Sequence, residues 1–347
     1  MRHESPFQSL FESYISRLQR RLVMSNTHGD DVRIAILDNY NDLAQTSADW
    51  SVLAAHELTF FNAHEPDEAK LIAQLQPFDI IGVMRERTPL PRSVLAHLPQ
   101  LQMVMTAGKQ NASIDTAAAS ELGIVVCGTH SPGHATAELA FLLVMAQARQ
   151  LITNVNGLRN GVWQAAMGAD CRGKTLGVLG LGRLGRQVAA LGNAIGMRVI
   201  AWSQHLEPAA CEAVSVEWVE RDTLFQRADF VSIHLRLSDR TRGLVNARDL
   251  SNLGPSGYLV NTSRAEIVNP TDLLHALNSG ALGGVATDVY TTEPASAGTE
   301  PLLQHPKALC TPHIGYVTAE TYRVFYGEMV TGINAFIAGQ PVNVINP

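Results

Sequence analysis

The sequence predicts an α/β protein made of two Rossmann-like, doubly wound parallel-sheet domains with a cleft between them. Three observations predict it. From Asp31 onward, short β-rich apolar runs alternate with helical patterns. From Lys174 there are six candidate strands, each starting 23 to 31 residues after the last, which suits one crossover helix and its loops. The first of these strands runs into Gly180-Leu181-Gly182-Arg183-Leu184-Gly185, and a helical pattern follows.

The chain has 347 residues, enough for about two domains at roughly 150 residues each. Apolar residues make up 46% and charged residues 17%, which leaves ample core material and too little charge for disorder. A net charge of −6 gives no footprint for nucleic acid or an anionic membrane. The longest apolar run, residues 139–146, falls far short of the ~20 residues that span a bilayer. Cys127, Cys171, Cys211 and Cys310 are scattered without a CxxC pair, as expected for buried thiols in a reducing cytoplasm. A soluble cytoplasmic protein with no nucleic-acid or membrane partner is the expectation.

Residues 1–30 read as an extension without assigned function. Leu10, Phe11, Tyr14, Ile15 and Leu18 stand at helical spacing, so one amphipathic helix is expected. Arg17, Arg20 and Arg21 suit a targeting helix, Glu4 and Glu12 oppose one, and Met24 is an equally good translation start. The first block then offers strands at 32–37, 79–84, 102–106 and 124–127, with helices near 68–75 and 92–98. Residues 135–158 read as a single helix, apolar on nearly every side around Leu139, Phe141 and Met145. Such a helix is buried, within the subunit or against a second one. The second block places strands at 175–179, 198–202, 229–234, 257–261, 284–288 and 308–311, as two mononucleotide-binding halves require. A helix at about 320–338 closes the chain.

In the glycine loop, Gly180 permits the tight turn and Gly182 lets backbone approach a pyrophosphate. Gly185 lets the helix pack closely on the strand, and the helix N-terminus faces the phosphates. Ligands of such sheets bind outside the carboxyl ends of the strands. There the sequence places Arg264 after the fourth strand, Glu293 after the fifth and His313 after the sixth. Each alone is ordinary: a loop arginine, a turn glutamate before proline, a hydrogen-bonded histidine. Together, at three successive strand ends beside a nicotinamide, they suit hydride transfer coupled to proton transfer. An imidazole moves the hydroxyl proton, a carboxylate orients the ring, and a guanidinium grips a substrate carboxylate and polarises the adjacent carbonyl. Reduction of a 2-oxo acid to a 2-hydroxy acid, or the reverse, is implied.

From Asp31 to the C-terminus the chain resembles the D-isomer-specific 2-hydroxyacid dehydrogenases. The motifs occur in order: "GKTLGVLGLGRLGRQVA" for the cofactor, "NTSRAEIV" with Arg264, "DVYTTEP" with Glu293, and "TPHIGY" with His313. Thr106-Ala107-Gly108-Lys109-Gln110 resembles the family loop whose backbone amides bind the substrate carboxylate. The resemblance implies a discontinuous substrate domain, 31–131 plus 316–347, and a dinucleotide-binding domain at 132–315. Its implied cofactor contacts are Gly180, Gly182, Arg183, Leu184, Ser203, His234, Arg236, Thr241, Thr262, Asp288 and Gly315. Its implied substrate contacts are Gly108, Lys109, Gln110 and Arg264, for a small anionic 2-oxo or 2-hydroxy acid. A homodimer through the nucleotide domain is also implied.

Three departures carry information. Gln110 replaces a second glycine of the substrate loop, and Arg236 replaces a proline after the third strand. At the end of the second strand, where an acid would hydrogen-bond the ribose 2′-hydroxyl of NAD, stands Ser203, followed by Gln204 and His205. With that repulsion gone and His205 and Arg236 nearest, NADP is expected to be accepted and moderately preferred over NAD. Arg85, Arg87 and Lys109 form a further cationic set in the first half, with Lys109 favoured as a substrate contact. His130, His134 and Glu138 lack a fourth ligand, so no metal is expected. A formate dehydrogenase is disfavoured by Glu293, where that branch carries glutamine. A nucleotide-sensing corepressor on the same fold is the alternative from another class.

Overall fold

The first apolar runs become strands because their β-branched residues fit a sheet covered on both faces. The structure, a computed structural model, describes residues 31–346, so the expected N-terminal helix lies outside the described residues. These fall into two compact units, one reaching to Pro132 and resuming at Thr318, the other spanning Gly133–Val317.

In the first unit, β1 (Arg33–Ile36), β2 (Glu57–Phe60), β3 (Ile80–Val83), β4 (Met103–Thr106) and β5 (Val125–Gly128) form a parallel sheet in the order β2-β1-β3-β4-β5. The central strands β3 and β4 are buried at every residue. β2 goes beyond the sequence expectation. It pairs only with β1, is half-exposed, and interleaves polar Glu57 and Thr59 with its apolar residues, so it carries no continuous apolar run. Helix α1 (Glu68–Leu75) starts where the Asp67 side chain accepts from the Lys70 N–H, and it buries Leu71 and Leu75. The chain's last segment is stitched beside β5: the Val126 N–H donates to Asn346 Oδ1 at 2.7 Å and the Ile345 N–H to the Val126 carbonyl.

In the second unit, β6 (Thr175–Leu179), β7 (Arg198–Trp202), β8 (Glu217–Trp218), β9 (Phe230–Ile233), β10 (Tyr258–Asn261), β11 (Gly284–Thr287) and β12 (Ala308–Cys310) form a second parallel sheet. Its order is β12-β11-β10-β9-β6-β7-β8. The sequence suggests six strands and the fold has seven. β8 is two residues long and pairs only with β7, so nothing in its sequence marks it, though it sits in the longest of the expected intervals. One consequence corrects the sequence reading. β9, expected as third strand of the adenosine half, is the fourth strand and flanks β6 on the side opposite β7.

The helix expected over 135–158 is two helices. α2 (His134–Ala148) and α3 (Leu151–Arg159) meet at a 64° bend, where Gln150 adopts a left-handed φ of 49°. Within the chain α2 is not covered on every side. It buries Ala137, Ala140, Phe141, Leu143 and Val144, while Leu142 and Met145 are 56% and 41% exposed. Leu151, Ile152, Leu158, Val162, Trp163 and Met167 continue this exposed apolar surface. Among the described residues no single helix is long and apolar enough to cross a bilayer. α4 (Arg183–Ala194) follows the glycine loop, and α5 (Ala319–Ile337) returns to the first unit, burying Tyr322, Phe325, Tyr326, Met329 and Ile333.

Candidate active site

β6 ends at Leu179, and the chain turns at Gly180 with φ 104°, where a side chain would meet the His234 carbonyl at 2.9 Å. Gly182 caps α4 without a side-chain hydrogen bond, and a Cβ there would meet nothing within 4 Å. That open space lies at a helix end whose first N–H groups have no intrahelical acceptor. At Gly185 a Cβ would lie 2.0 Å from the Gly180 carbonyl oxygen, so only glycine allows α4 to sit this close to the loop. Arg183 and Leu184 open the helix, and the Arg183 guanidinium lies against Gly133.

The other residues expected to hold a cofactor line the same end of the sheet. His234 follows β9, its Nε2 is 2.9 Å from the Ser232 hydroxyl, and its Nδ1 is buried without a protein partner. Burial pulls its pKa down to about 4, so the ring is neutral at physiological pH. Thr262, after β10, likewise buries an Oγ1 with no partner. Buried polar atoms are normally satisfied, so two orphans beside an open glycine loop fit a polar ligand such as a dinucleotide. Thr241, also expected at the cofactor, closes the turn after β9, where its hydroxyl donates to the Arg236 carbonyl at 2.7 Å and accepts from the Ser238 N–H at 2.8 Å. Ser203 stands at the end of β7. Its neighbour His205 accepts at Nε2 from Arg240 Nη1 at 3.3 Å, a residue sequence reasoning passed over for Arg236.

Three neighbouring strands carry the chemistry. At the end of β10, Asn261 accepts the Ser263 N–H and donates to the Arg264 carbonyl, both at 3.0 Å, and Ser263 Oγ donates to the Ile233 carbonyl. These bonds pin the loop from which the Arg264 side chain projects. After β11, buried Asp288 holds the following loop: Oδ1 accepts from Thr311 Oγ1 and the Ile314 N–H, and Oδ2 from the Gly315 N–H at 2.8 Å. Burial raises its pKa on balance, outweighing the opposing pull of these donors. The loop so fixed carries His313 in a left-handed conformation, φ 51°.

Glu293 bridges two partners. Its Oε1 accepts the Tyr290 N–H at 2.9 Å, and its Oε2 accepts from His313 Nδ1 at 2.6 Å. With Nδ1 engaged, the chemistry of His313 is left to Nε2. The Tyr316 ring stands edge-on to the imidazole with centroids 5.4 Å apart. An oriented imidazole after β12 and a guanidinium after β10, with β11 between the two strands, can together move a proton and stabilise developing negative charge.

In the first unit the Gly108 N–H donates to Thr129 Oγ1 at 2.7 Å, while the Lys109 N–H has no protein acceptor among the described residues. Lys109 and Gln110 are exposed. Arg85 reaches this loop, its Nη1 2.1 Å from where a Cβ on Gly108 would stand. Arg87 is committed elsewhere, donating to the Asp38 carbonyl and lying over the Tyr40 ring. His130 pairs with Glu328 and His134 with Gln187, so the two histidines are engaged separately.

Residues 141–315 match the NAD-binding domain of the D-isomer-specific 2-hydroxyacid dehydrogenases. The D-3-phosphoglycerate dehydrogenase of Mycobacterium leprae is 33% identical over 79% of this chain and 52% of its own length. The chain thus spans about half the length of such curated relatives. A glyoxylate reductase of Aeropyrum pernix is 34% identical over 73% of this chain and 78% of its own. The crystal structure of a phosphoglycerate oxidoreductase from Vibrio cholerae superposes with a TM-score of 0.85 at 34% identity, covering 89% and 99% of the two chains. With the glycine loop and the three strand-end residues in place, the chain belongs to the D-isomer-specific 2-hydroxyacid dehydrogenase family.

Proposed function

We propose that this protein is a nicotinamide-dependent D-2-hydroxyacid dehydrogenase or 2-ketoacid reductase, acting on a small anionic acid. The observation that carries this is the 2.6 Å bond between His313 Nδ1 and Glu293 Oε2 at the strand ends of a unit matched by the family's cofactor-binding domain. When bound, the nicotinamide supplies or accepts the hydride. Arg264 grips the substrate carboxylate and polarises the carbonyl as negative charge gathers on its oxygen. His313 delivers a proton from Nε2 to that oxygen, and Glu293 fixes the ring and steadies the charged imidazolium. In the other direction, His313 takes the hydroxyl proton at the same atom.

The cofactor would be held by Gly180, Gly182, Arg183 and Leu184 at the pyrophosphate, with His234, Thr262, Asp288 and Gly315 towards the nicotinamide. Arg236 and Thr241 shape the turn after β9, and Ser203 faces the ribose. NADP is preferred over NAD, because Ser203 presents a hydroxyl where a carboxylate would repel the 2′-phosphate. In the first unit, the backbone of Gly108, Lys109 and Gln110 is assigned to the substrate carboxylate, with Arg85 as the supporting cation. The exposed apolar residues of α2 and α3 support a homodimer through the second unit, and the four unpaired cysteines accord with a cytoplasmic setting.

The test is absorbance of the reduced nicotinamide on adding glyoxylate, hydroxypyruvate, pyruvate or 3-phosphohydroxypyruvate to the purified chain, with NADH and NADPH in parallel. Turnover of any of them supports the reading. Tight nucleotide binding with no turnover across a broad keto-acid panel would favour a nucleotide sensor instead.

A further inference from the structure

Arg240 ties the loop after β9 to the loop after β7, the latter in the adenosine half of the sheet, and its position follows from strand order. β7 and β9 flank β6 on opposite sides, so their loops leave the sheet about 10 Å apart, two strand spacings. Between them lies the glycine loop that follows β6. The loop after β9 is a locked turn: Thr241 Oγ1 donates to the Arg236 carbonyl, and the Thr241 and Arg242 N–H groups both donate to the Ser238 carbonyl. Arg240 stands in that turn, and its Nη1 meets His205 Nε2 at 3.3 Å, two residues past Ser203.

Among the described residues no carboxylate forms an ion pair with the Arg240 guanidinium, whose hydrogen-bond partner is the His205 ring. Ser203 adds a hydroxyl where an acid would cancel the charge. A guanidinium, an imidazole and a hydroxyl gathered from two loops make a set of donors suited to a phosphate dianion.

We propose that Arg240, supported by His205, reads the 2′-phosphate of an NADP-type dinucleotide and is the residue that sets preference for it over NAD. This rests on the dinucleotide reading of the glycine loop. The Arg236 carbonyl helps to close the turn that presents Arg240.

The experiment is equilibrium binding by calorimetry to the full chain, as wild type, Arg240→Ala and Arg240→Lys. The probes are NADP+, NAD+, adenosine 2′,5′-bisphosphate and 5′-AMP. Wild type should bind each 2′-phosphorylated probe at least tenfold tighter than its partner without the phosphate. Arg240→Ala should erase most of that advantage while moving NAD+ and 5′-AMP less than twofold, and lysine should restore part of it. Both Arg240 and His205 are exposed, and a thermal melt of each variant checks that the fold is intact. Equal losses for all four probes, unchanged discrimination in Arg240→Ala, or a wild type that prefers NAD+ would each overturn the assignment to Arg240. If wild type binds none of the probes, the dinucleotide reading itself falls.

Discussion

His313 Nδ1 donates to Glu293 Oε2 across 2.6 Å, and that bond decides which edge of the imidazole can do chemistry. The bond joins loops that follow β11 and β12, strands paired edge to edge. Asp288 then fixes the histidine loop through three hydrogen bonds, so the ring is held by residues from both strands' ends.

His313→Ala should therefore cut kcat for keto-acid reduction by about 10²–10⁴, the usual range for a positioned general acid. Nucleotide affinity should stay within twofold, since the imidazole is held by Glu293 and not by the glycine loop. Steady-state kinetics with a parallel nucleotide titration checks this, and near-normal kcat would remove His313 from the mechanism.

Arg264→Lys should lower kcat/KM for the keto acid at least tenfold despite conserving charge. Lysine cannot offer the planar fork that holds a carboxylate at two points. A loss confined to nucleotide affinity would show that Arg264 serves the cofactor instead.

Gly185→Ala places a Cβ 2.0 Å from the Gly180 carbonyl oxygen, a backbone atom with little freedom to yield. The variant should lose about 1–3 kcal/mol of stability, as overpacked sites do. It should also bind dinucleotide poorly, because α4 must withdraw from the loop. Thermal unfolding and a nucleotide titration read both effects, and an unaltered melt would mean that helix and loop can separate freely.

His64 makes one part of stability depend on pH. The hydrogen bond to Asp38 raises its pKa above the ordinary 6.5, outweighing the opposing effect of burial. Below pH 6.5 the imidazolium forms in both folded and unfolded chains, and the pair contributes fully. As pH climbs past 6.5 and through the raised folded value, the folded state loses a proton that had been favoured, and the contribution disappears. His64→Gln should thus lower Tm more at pH 6 than at pH 8.5. An equal deficit at both values would assign His64 a packing role alone.

Leu142→Glu combined with Met145→Lys should convert the proposed dimer into monomers. Both side chains are exposed on α2, and charge there would be costly to bury against a second copy. Sedimentation velocity decides it, and an unaltered oligomer would move the interface elsewhere.

The sequence by itself determined the α/β class, the glycine loop and the three strand-end residues, since each rests on a local pattern: an apolar run, a turn, a short polar motif. The tertiary structure decided what depends on strand neighbours. Edge strands β2 and β8 stayed hidden because a strand paired on one side needs no continuous apolar run, and without β8 the loop after β9 was assigned to the wrong half of the sheet. The break at Gln150 was invisible because apolar residues resume directly after it at Leu151 and Ile152, whereas a single left-handed residue turns the axis. That the Thr241 hydroxyl closes a turn is likewise seen only in the fold. Arg240 lies in no motif that singles it out, and the order β7-β6-β9 brings it to His205. Local motifs encode which atoms are available; the pairing of distant strands decides which of them meet.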